Sequence, residues 1–130
     1  MSKYTLEVDS EQLKHISKAL DFFARIQTGQ VSELVNPYMV PLPDADYKEV
    51  DVLLKSLKKQ MFPELPDGAF YSIKSKYISD QVRQMIDIFE VIRYQMMSES
   101  DSPEIIEKNV RPFHWASDKQ LPVLKKVDED

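Results

Sequence analysis

Apolar residues recur at helical spacing through residues 10–28, and this pattern constrains the fold more than any other feature of the chain. Asp9 precedes the pattern as a helix N-cap, and Gln12 occupies the position of a capping box. Gly29 predicts the end of this helix, because glycine adopts left-handed backbone angles without a steric penalty. The residues that share one face of the predicted helix are Leu13, Ile16, Leu20, Phe23 and Ile26.

Two further stretches have the same periodicity. A second helix is expected to follow a cap at Asp44 or Asp46 and to end near Met61, before Pro63. Its predicted buried face consists of Val50, Leu53, Leu54 and Leu57. The third and longest helix is predicted over about residues 80–98, with a cap at Ser79 or Asp80.

Residues 4–8 alternate between apolar and polar side chains in the manner of a short strand, and residues 69–73, which follow the Asp67-Gly68 turn, are predicted as a second short strand. We therefore predict an α+β fold with about three helices, a small antiparallel sheet of two or three short strands, and an extended C-terminal arm. Residues 1–97 are expected to form the helical α+β core. Residues 98–130 are expected to form an acidic linker and a C-terminal arm of the same domain.

Composition excludes several classes of protein. The 130-residue chain has no cysteine, which excludes disulfides and thiolate metal sites. Its net charge of −5 and the lack of a basic stripe argue against duplex nucleic acid as a partner. No stretch reaches the roughly 20 apolar residues that a membrane-spanning helix needs. The first residues, MSKYTLEVDS, lack the apolar core of a signal peptide, so we expect a cytoplasmic location.

The sequence offers little to support catalysis. The two histidines, His15 and His114, have no metal-ligand spacing, and the two glycines cannot form a phosphate-binding loop. Asp87 and Glu90 are spaced three residues apart on the third helix, which is more typical of solvated or ion-paired carboxylates than of acid–base catalysis. We therefore expect no enzyme activity, no metal site and no cofactor.

Arginine is scarce, and its placement is the most informative chemical feature of the sequence. Arginine binds phosphate and carboxylate groups through two parallel hydrogen bonds. Arg25 and Arg93 lie within apolar runs, where each could line an anion pocket or form an ion pair with Asp21, Asp87 or Glu90. Only four of the seventeen basic residues are arginines: Arg25, Arg83, Arg93 and Arg111.

The segment YSIKSKYISDQVR, residues 71–83, places cations and aromatic rings around the start of the third helix. A helix N-terminus favours an anion, and Lys74, Lys76 and Arg83 add positive charge there. Tyr71 and Tyr77 could stack on a nucleotide base while the cations hold its phosphates. A solvated helix start with two partly buried tyrosines explains the same residues equally well.

Three short sequence motifs resemble those of a group of small phage-encoded proteins that includes the Thoeris anti-defence proteins. The motifs are FARIQTGQ at residues 23–30, YSI at 71–73 and DIFEVIRY at 87–94. Members of that group bind cyclic nucleotide signals as sponges and assemble as dimers or higher oligomers. Tyr94 departs from the histidine that usually follows the arginine in the last motif, and Phe70-Tyr71 departs from Trp-Gly.

The resemblance implies a phage anti-defence protein in the host cytoplasm. Such a protein would sequester a cyclic ADP-ribose isomer or a cyclic oligonucleotide without cleaving it, and would form a homo-oligomer. Arg25 would shape the pocket wall or the oligomer contact, Arg93 and Arg111 would contact phosphate, and Tyr71 or Phe113 would stack on a base. An alternative function is an interaction protein that modulates a host protein such as RNA polymerase or a defence effector.

Overall fold

Three α-helices make up most of the regular structure in the computed structural model, which describes residues 1–35, 44–99 and 116–127. Helix α1 spans Ser10–Gln27 and is followed by a 3₁₀ helix at Val31–Val35. Helix α2 spans Tyr47–Met61, and helix α3 spans Asp80–Ser98. The helical part of the sequence prediction is therefore confirmed.

Each helix begins at a side chain that satisfies its first main-chain N–H groups. At α1 the Gln12 N–H donates to Asp9 Oδ1 at 2.7 Å, and the Asp9 N–H donates to Gln12 Oε1 at 2.9 Å. Asp46 caps α2 by accepting from two N–H groups at 3.1 and 3.2 Å. Ser79 Oγ accepts from an α3 N–H at 3.3 Å. These contacts confirm the predicted capping box and select one cap for each later helix.

Helix α1 ends in a Schellman motif centred on Gly29. The Gly29 N–H donates to the carbonyl of Ile26 at 3.1 Å, and the Gln30 N–H donates to that of Arg25 at 2.9 Å. Gly29 has a φ of 103°, which an L-residue with a Cβ atom adopts only under strain. The predicted glycine stop is confirmed.

The predicted sheet is wrong, because none of the residues that the structure describes forms a β-strand. Residues 4–8 have no regular structure. Residues 69–73 use their main-chain groups elsewhere: the Tyr71 N–H donates to the Thr28 carbonyl at 2.8 Å, and Lys58 Nζ donates to the Ala69 carbonyl at 2.6 Å. The main-chain groups that would bond to a neighbouring strand are thus bonded to Thr28, at the end of α1, and to Lys58. The fold of the described residues is helical, not α+β.

The chain divides into two units. One unit is Phe22–Arg83, in which the 3₁₀ helix packs against α2 and the buried apolar residues are Ala24, Val31, Ile78 and Val82. The other unit joins Met1–Asp21 to Gln84–Asp130, and its buried residues include Ile92, Asp87 and Ser117.

The predicted buried face of α2 is partly wrong. Leu53 is 59% exposed and Leu57 is 41% exposed, whereas Val50 and Leu54 are half-buried. Lys58, which the sequence places among surface lysines, is buried instead. Helical periodicity identifies an apolar stripe, but the neighbouring segments decide which edge of that stripe they cover.

Candidate functional site

The loop between α2 and α3, residues 62–79, is built from a succession of tight turns. Within it, N–H groups donate to carbonyls three residues earlier, in pairs such as Leu65 to Phe62 at 3.0 Å and Ser75 to Ser72 at 2.9 Å. Gly68 has a φ of 81°, as expected for the Asp-Gly turn that the sequence indicates. We call this segment the α2–α3 loop.

The Phe22–Arg83 unit contains the end of α1, all of α2 and the start of α3, and these parts hold the α2–α3 loop in place. The end of α1 binds the main chain of the loop through the Thr28 carbonyl, and α2 binds it through buried Lys58. Helix α3 contributes Arg83, whose Nε donates to the Ile73 carbonyl at 3.0 Å and whose Nη2 donates to the Ser75 carbonyl at 2.5 Å. The loop therefore presents its side chains from a main chain that is bonded at several points.

Three aromatic rings meet on this loop, and we call Phe62, Tyr71 and Tyr77 the ring cluster. The Phe62 and Tyr71 rings meet edge to face with their centroids 6.1 Å apart. The Tyr71 and Tyr77 rings are tilted by 35° with their centroids 5.2 Å apart. Lys76 Nζ lies 5.2 Å from the centroid of the Tyr77 ring, in the range of a cation–π contact. Tyr77 is 61% exposed, so this end of the ring cluster faces solvent.

A carboxylate orients the central ring of the cluster. The Tyr71 hydroxyl donates to Glu64 Oε2 at 2.6 Å. This hydrogen bond, more than the other contributions, raises the pKa of Tyr71 to about 12. Tyr71 is therefore a neutral hydrogen-bond donor at physiological pH, with its proton directed at protein and not at a ligand.

Four of the predicted ligand-binding residues, Arg25, Tyr71, Lys74 and Arg83, lie in the Phe22–Arg83 unit. Tyr71 and Arg83 help to build the α2–α3 loop, and Lys74 is exposed on the same loop. Arg25 lies at the end of α1, where its Nη1 is 3.2 Å from Glu33 Oε1 and 3.5 Å from Gln30 Oε1. Arg25 therefore forms an ion pair with Glu33, an acidic residue that the sequence analysis did not name.

Arg93 lies in the other unit, on α3. Its Nη1 is 3.8 Å from Glu90 Oε1, which is one of the ion pairs that the sequence offered. Burial raises the pKa of Glu90, while Arg93 lowers it and Asp21 raises it further. Arg111 and Phe113, the remaining predicted ligand contacts, lie outside the described residues.

Sequence reasoning missed two buried polar contacts. Asp87 Oδ2 accepts from the Ser117 hydroxyl at 2.5 Å and from the Ser117 N–H at 3.2 Å, which ties the C-terminal segment to α3. Asp87 Oδ1 is buried and has no hydrogen-bond partner among the described residues. The other is the hydrogen bond from buried Lys58 to the Ala69 carbonyl. No local pattern signals either one, because their partners are 30 and 11 residues away along the chain.

No protein-family model, curated protein or solved structure matches this chain. The resemblance to phage anti-defence proteins therefore stays a prediction that three short motifs carry. In the ranges that the structure describes, no helix is both long and apolar enough to cross a membrane.

Proposed function

We propose that the protein binds a cyclic nucleotide signal and sequesters it without cleaving it, and that the ring cluster and the lysines beside it supply the binding surface. The observation that carries this proposal is the exposed Tyr77 ring with the Lys76 ammonium over its face. Such a surface suits a ligand that combines a flat base with phosphate groups.

Binding can proceed by an exchange at Tyr77. A base that stacks on the Tyr77 ring takes the place of the Lys76 ammonium, which then pairs with a phosphate of the same ligand. Lys74, exposed on the same loop, adds a second cation. Arg83 donates to two loop carbonyls, so its role in this proposal is to position the loop and not to contact phosphate.

The resemblance supports the identity of the ligand and the biological setting. A phage anti-defence protein would capture an immune signal such as a cyclic ADP-ribose isomer or a cyclic oligonucleotide inside the host cell. It would act as a homo-oligomer and would need affinity but no turnover. Sequestration at nanomolar affinity corresponds to about −12 kcal/mol of binding free energy.

A thermal-shift panel tests this function. Purified protein is heated with cyclic ADP-ribose isomers, cyclic dinucleotides and cyclic trinucleotides, and any bound ligand is recovered by heat denaturation and chromatography. A ligand at a hundred times its dissociation constant adds about 2.7 kcal/mol to the free energy of unfolding, so the melting temperature rises measurably. Intact ligand in the recovered fraction is expected for a sponge, whereas a cleaved product would contradict it.

A matched pair of variants localises the binding. Tyr77→Ala removes the exposed ring of the cluster, and Phe70→Ala removes a similarly exposed ring of the same loop that makes none of the ring contacts described. The ligand-induced rise in melting temperature is expected to disappear in Tyr77→Ala and to persist in Phe70→Ala. Equal loss in both, or a flat panel for the unmodified protein, contradicts nucleotide binding at this cluster.

The exposed apolar side of α2 favours a second candidate function, the binding of a host protein such as RNA polymerase or a defence effector. Helix α2 exposes four large apolar side chains along one side, Tyr47, Leu53, Leu57 and Met61, and a fifth, Val52, on a different side of the helix. A helix face of this kind is a common docking surface for protein partners. Capture of one host protein from lysate, lost in Leu53→Glu and retained in Tyr77→Ala, would support this function over nucleotide binding.

A further inference from the structure

Residues 3–7, Lys-Tyr-Thr-Leu-Glu, are a strand sequence without a strand partner. Tyr4 is 93% exposed and Leu6 is 74% exposed, and the segment has no regular secondary structure before the cap of α1 at Asp9. Alternation of this kind predicts a strand, because successive side chains of a strand point to opposite faces. The described part of the chain contains no sheet edge to which the segment could add.

The segment is complementary to itself when it runs antiparallel to a second copy. With Thr5 opposite Thr5 of the partner subunit, Lys3 falls opposite Glu7 of the partner subunit, and Tyr4 falls opposite Leu6 of the partner subunit. Opposite charges, paired threonines and an aromatic–aliphatic pair are all favourable cross-strand neighbours. Both faces match at once, since the charged pairs and the threonines share one face and the apolar pairs share the other.

Other registers lose this complementarity. A shift of one residue places Tyr4 opposite Glu7 of the partner subunit and mixes the polar face with the apolar face. A shift of two residues, centred on Leu6, pairs Lys3 with Asp9 of the partner subunit. Asp9 is engaged in the capping box of α1, where its N–H and its Oδ1 both bond to Gln12. The register centred on Thr5 is the one that uses every charge and leaves the helix cap intact.

We infer that residues 3–7 of two copies of this chain pair as antiparallel β-strands across a two-fold axis at Thr5. This inference does not depend on the proposed function, because the segment includes none of the residues assigned to ligand binding. A two-stranded ribbon is only marginally stable in water. The pairing therefore gives an association that depends on protein concentration and that uses none of the residues of the ring cluster.

Cysteine cross-linking tests the register directly, since the chain has no cysteine of its own. In the inferred pairing the two copies of residue 5 have Cα atoms about 5 Å apart, which a disulfide can bridge. The Cα atoms of the two copies of residue 3, like those of residue 7, are about 14 Å apart and cannot be bridged. Under mild oxidation Thr5→Cys is expected to form disulfide dimers about tenfold faster than the control variants Lys3→Cys and Glu7→Cys.

Charge reversal in the Thr5→Cys background gives a second readout. Lys3→Glu leaves two acidic residues on the charged face, Glu7→Lys leaves two basic residues, and each change alone is expected to slow cross-linking about tenfold. An equimolar mixture of the two variants restores opposite charges and is expected to form the mixed dimer, identified by its mass, at the original rate. Unchanged far-UV circular dichroism controls for folding, since this segment lies outside the helices.

Equal cross-linking rates at positions 3, 5 and 7 would overturn the pairing, as would a mixed dimer that forms no faster than the two like-charged ones. Either result would exclude a second copy as the partner and would indicate that the segment adds to a sheet of a different protein. Faster cross-linking at Thr5→Cys together with recovery in the mixture would establish both the partner, a second copy, and the register.

Discussion

Arg83 is expected to stabilise the α2–α3 loop, and its replacement provides the sharpest test of how the candidate site is built. The guanidinium donates to two carbonyls two residues apart, those of Ile73 and Ser75 at 3.0 and 2.5 Å. Arg83→Met keeps most of the length of the side chain and removes every donor. The variant therefore leaves two loop carbonyls without their charged partner while the apolar stem still packs.

The magnitude follows from the number of bonds and from their exposure. A hydrogen bond with a charged donor contributes about 1.5–3 kcal/mol, so two such bonds set an upper limit of about 6 kcal/mol. Arg83 is only half-buried, and water can replace the donor at part of each carbonyl surface. We expect Arg83→Met to lower the free energy of unfolding by about 2–3 kcal/mol.

Urea unfolding followed by far-UV circular dichroism measures this loss. Lys74→Met is the matched control, because it also removes one positive charge, at an exposed position on the α2–α3 loop itself. The control is expected to stay within about 0.5 kcal/mol of the unmodified protein. A conservative Arg83→Lys variant is expected to fall between the two, since an ammonium lacks the planar fork that reaches both carbonyls.

Two results would refute this account of Arg83. A loss below about 0.5 kcal/mol in Arg83→Met would mean that the two hydrogen bonds contribute nothing net to folding. Equal losses in Arg83→Met and Lys74→Met would mean that the charge matters and the hydrogen bonds do not. Strong loss of nucleotide affinity in Arg83→Met without any loss of stability would indicate that Arg83 contacts the ligand.

Three further predictions concern a glycine, a tyrosine and a buried serine. Gly29→Ala would hold an alanine at a φ of 103° and place its Cβ 2.6 Å from a methyl of Leu65, so we expect the free energy of unfolding in urea to fall by about 2–4 kcal/mol. Gly68→Ala is the comparison: its φ is 81°, but its Cβ meets no atom within 4 Å, so the expected loss is about 1–2 kcal/mol. In an alkaline absorbance titration one tyrosine should ionise near pH 12, and Glu64→Gln should lower the pKa of Tyr71 toward its ordinary value. Because the folded pKa is the higher one, the stability linked to Tyr71 is complete at neutral pH and is lost as the pH rises from the ordinary tyrosine range through 12. Ser117→Ala removes the 2.5 Å hydrogen bond to a buried carboxylate and should lower the free energy of unfolding by about 2 kcal/mol, measured against the unmodified protein.

The helix boundaries could be read from the sequence, because the interactions that set them are local. The capping residue and the N–H groups that it accepts from lie within three residues, as at Asp9 and Asp46. The glycine that ends α1 needs only its own backbone angles. Information of this range is contained in any short window of sequence, and tertiary packing did not override it here.

The partners of the candidate site could be predicted only in part. Sequence placed Tyr71, Tyr77 and the lysines on one segment, and the structure brings the two tyrosine rings together with Lys76. It did not predict that the Arg83 donors would turn back onto the loop or that Glu64 would hold the Tyr71 hydroxyl. Long side chains choose among all acceptors within reach, and those acceptors are known only once the loop has its shape.

The sequence by itself determined where the helices of this protein begin and end, and it marked the segments with the chemistry to bind. Only the tertiary structure decided that residues 69–73 would not form a strand, that α2 would leave Leu53 exposed, and that Asp87 would meet Ser117 across 30 residues of chain. The physical reason is the distance along the chain between the residues that interact. A cap or a stop is satisfied by neighbours in sequence, whereas a strand, a buried stripe or a buried carboxylate needs a partner that folding must bring from elsewhere.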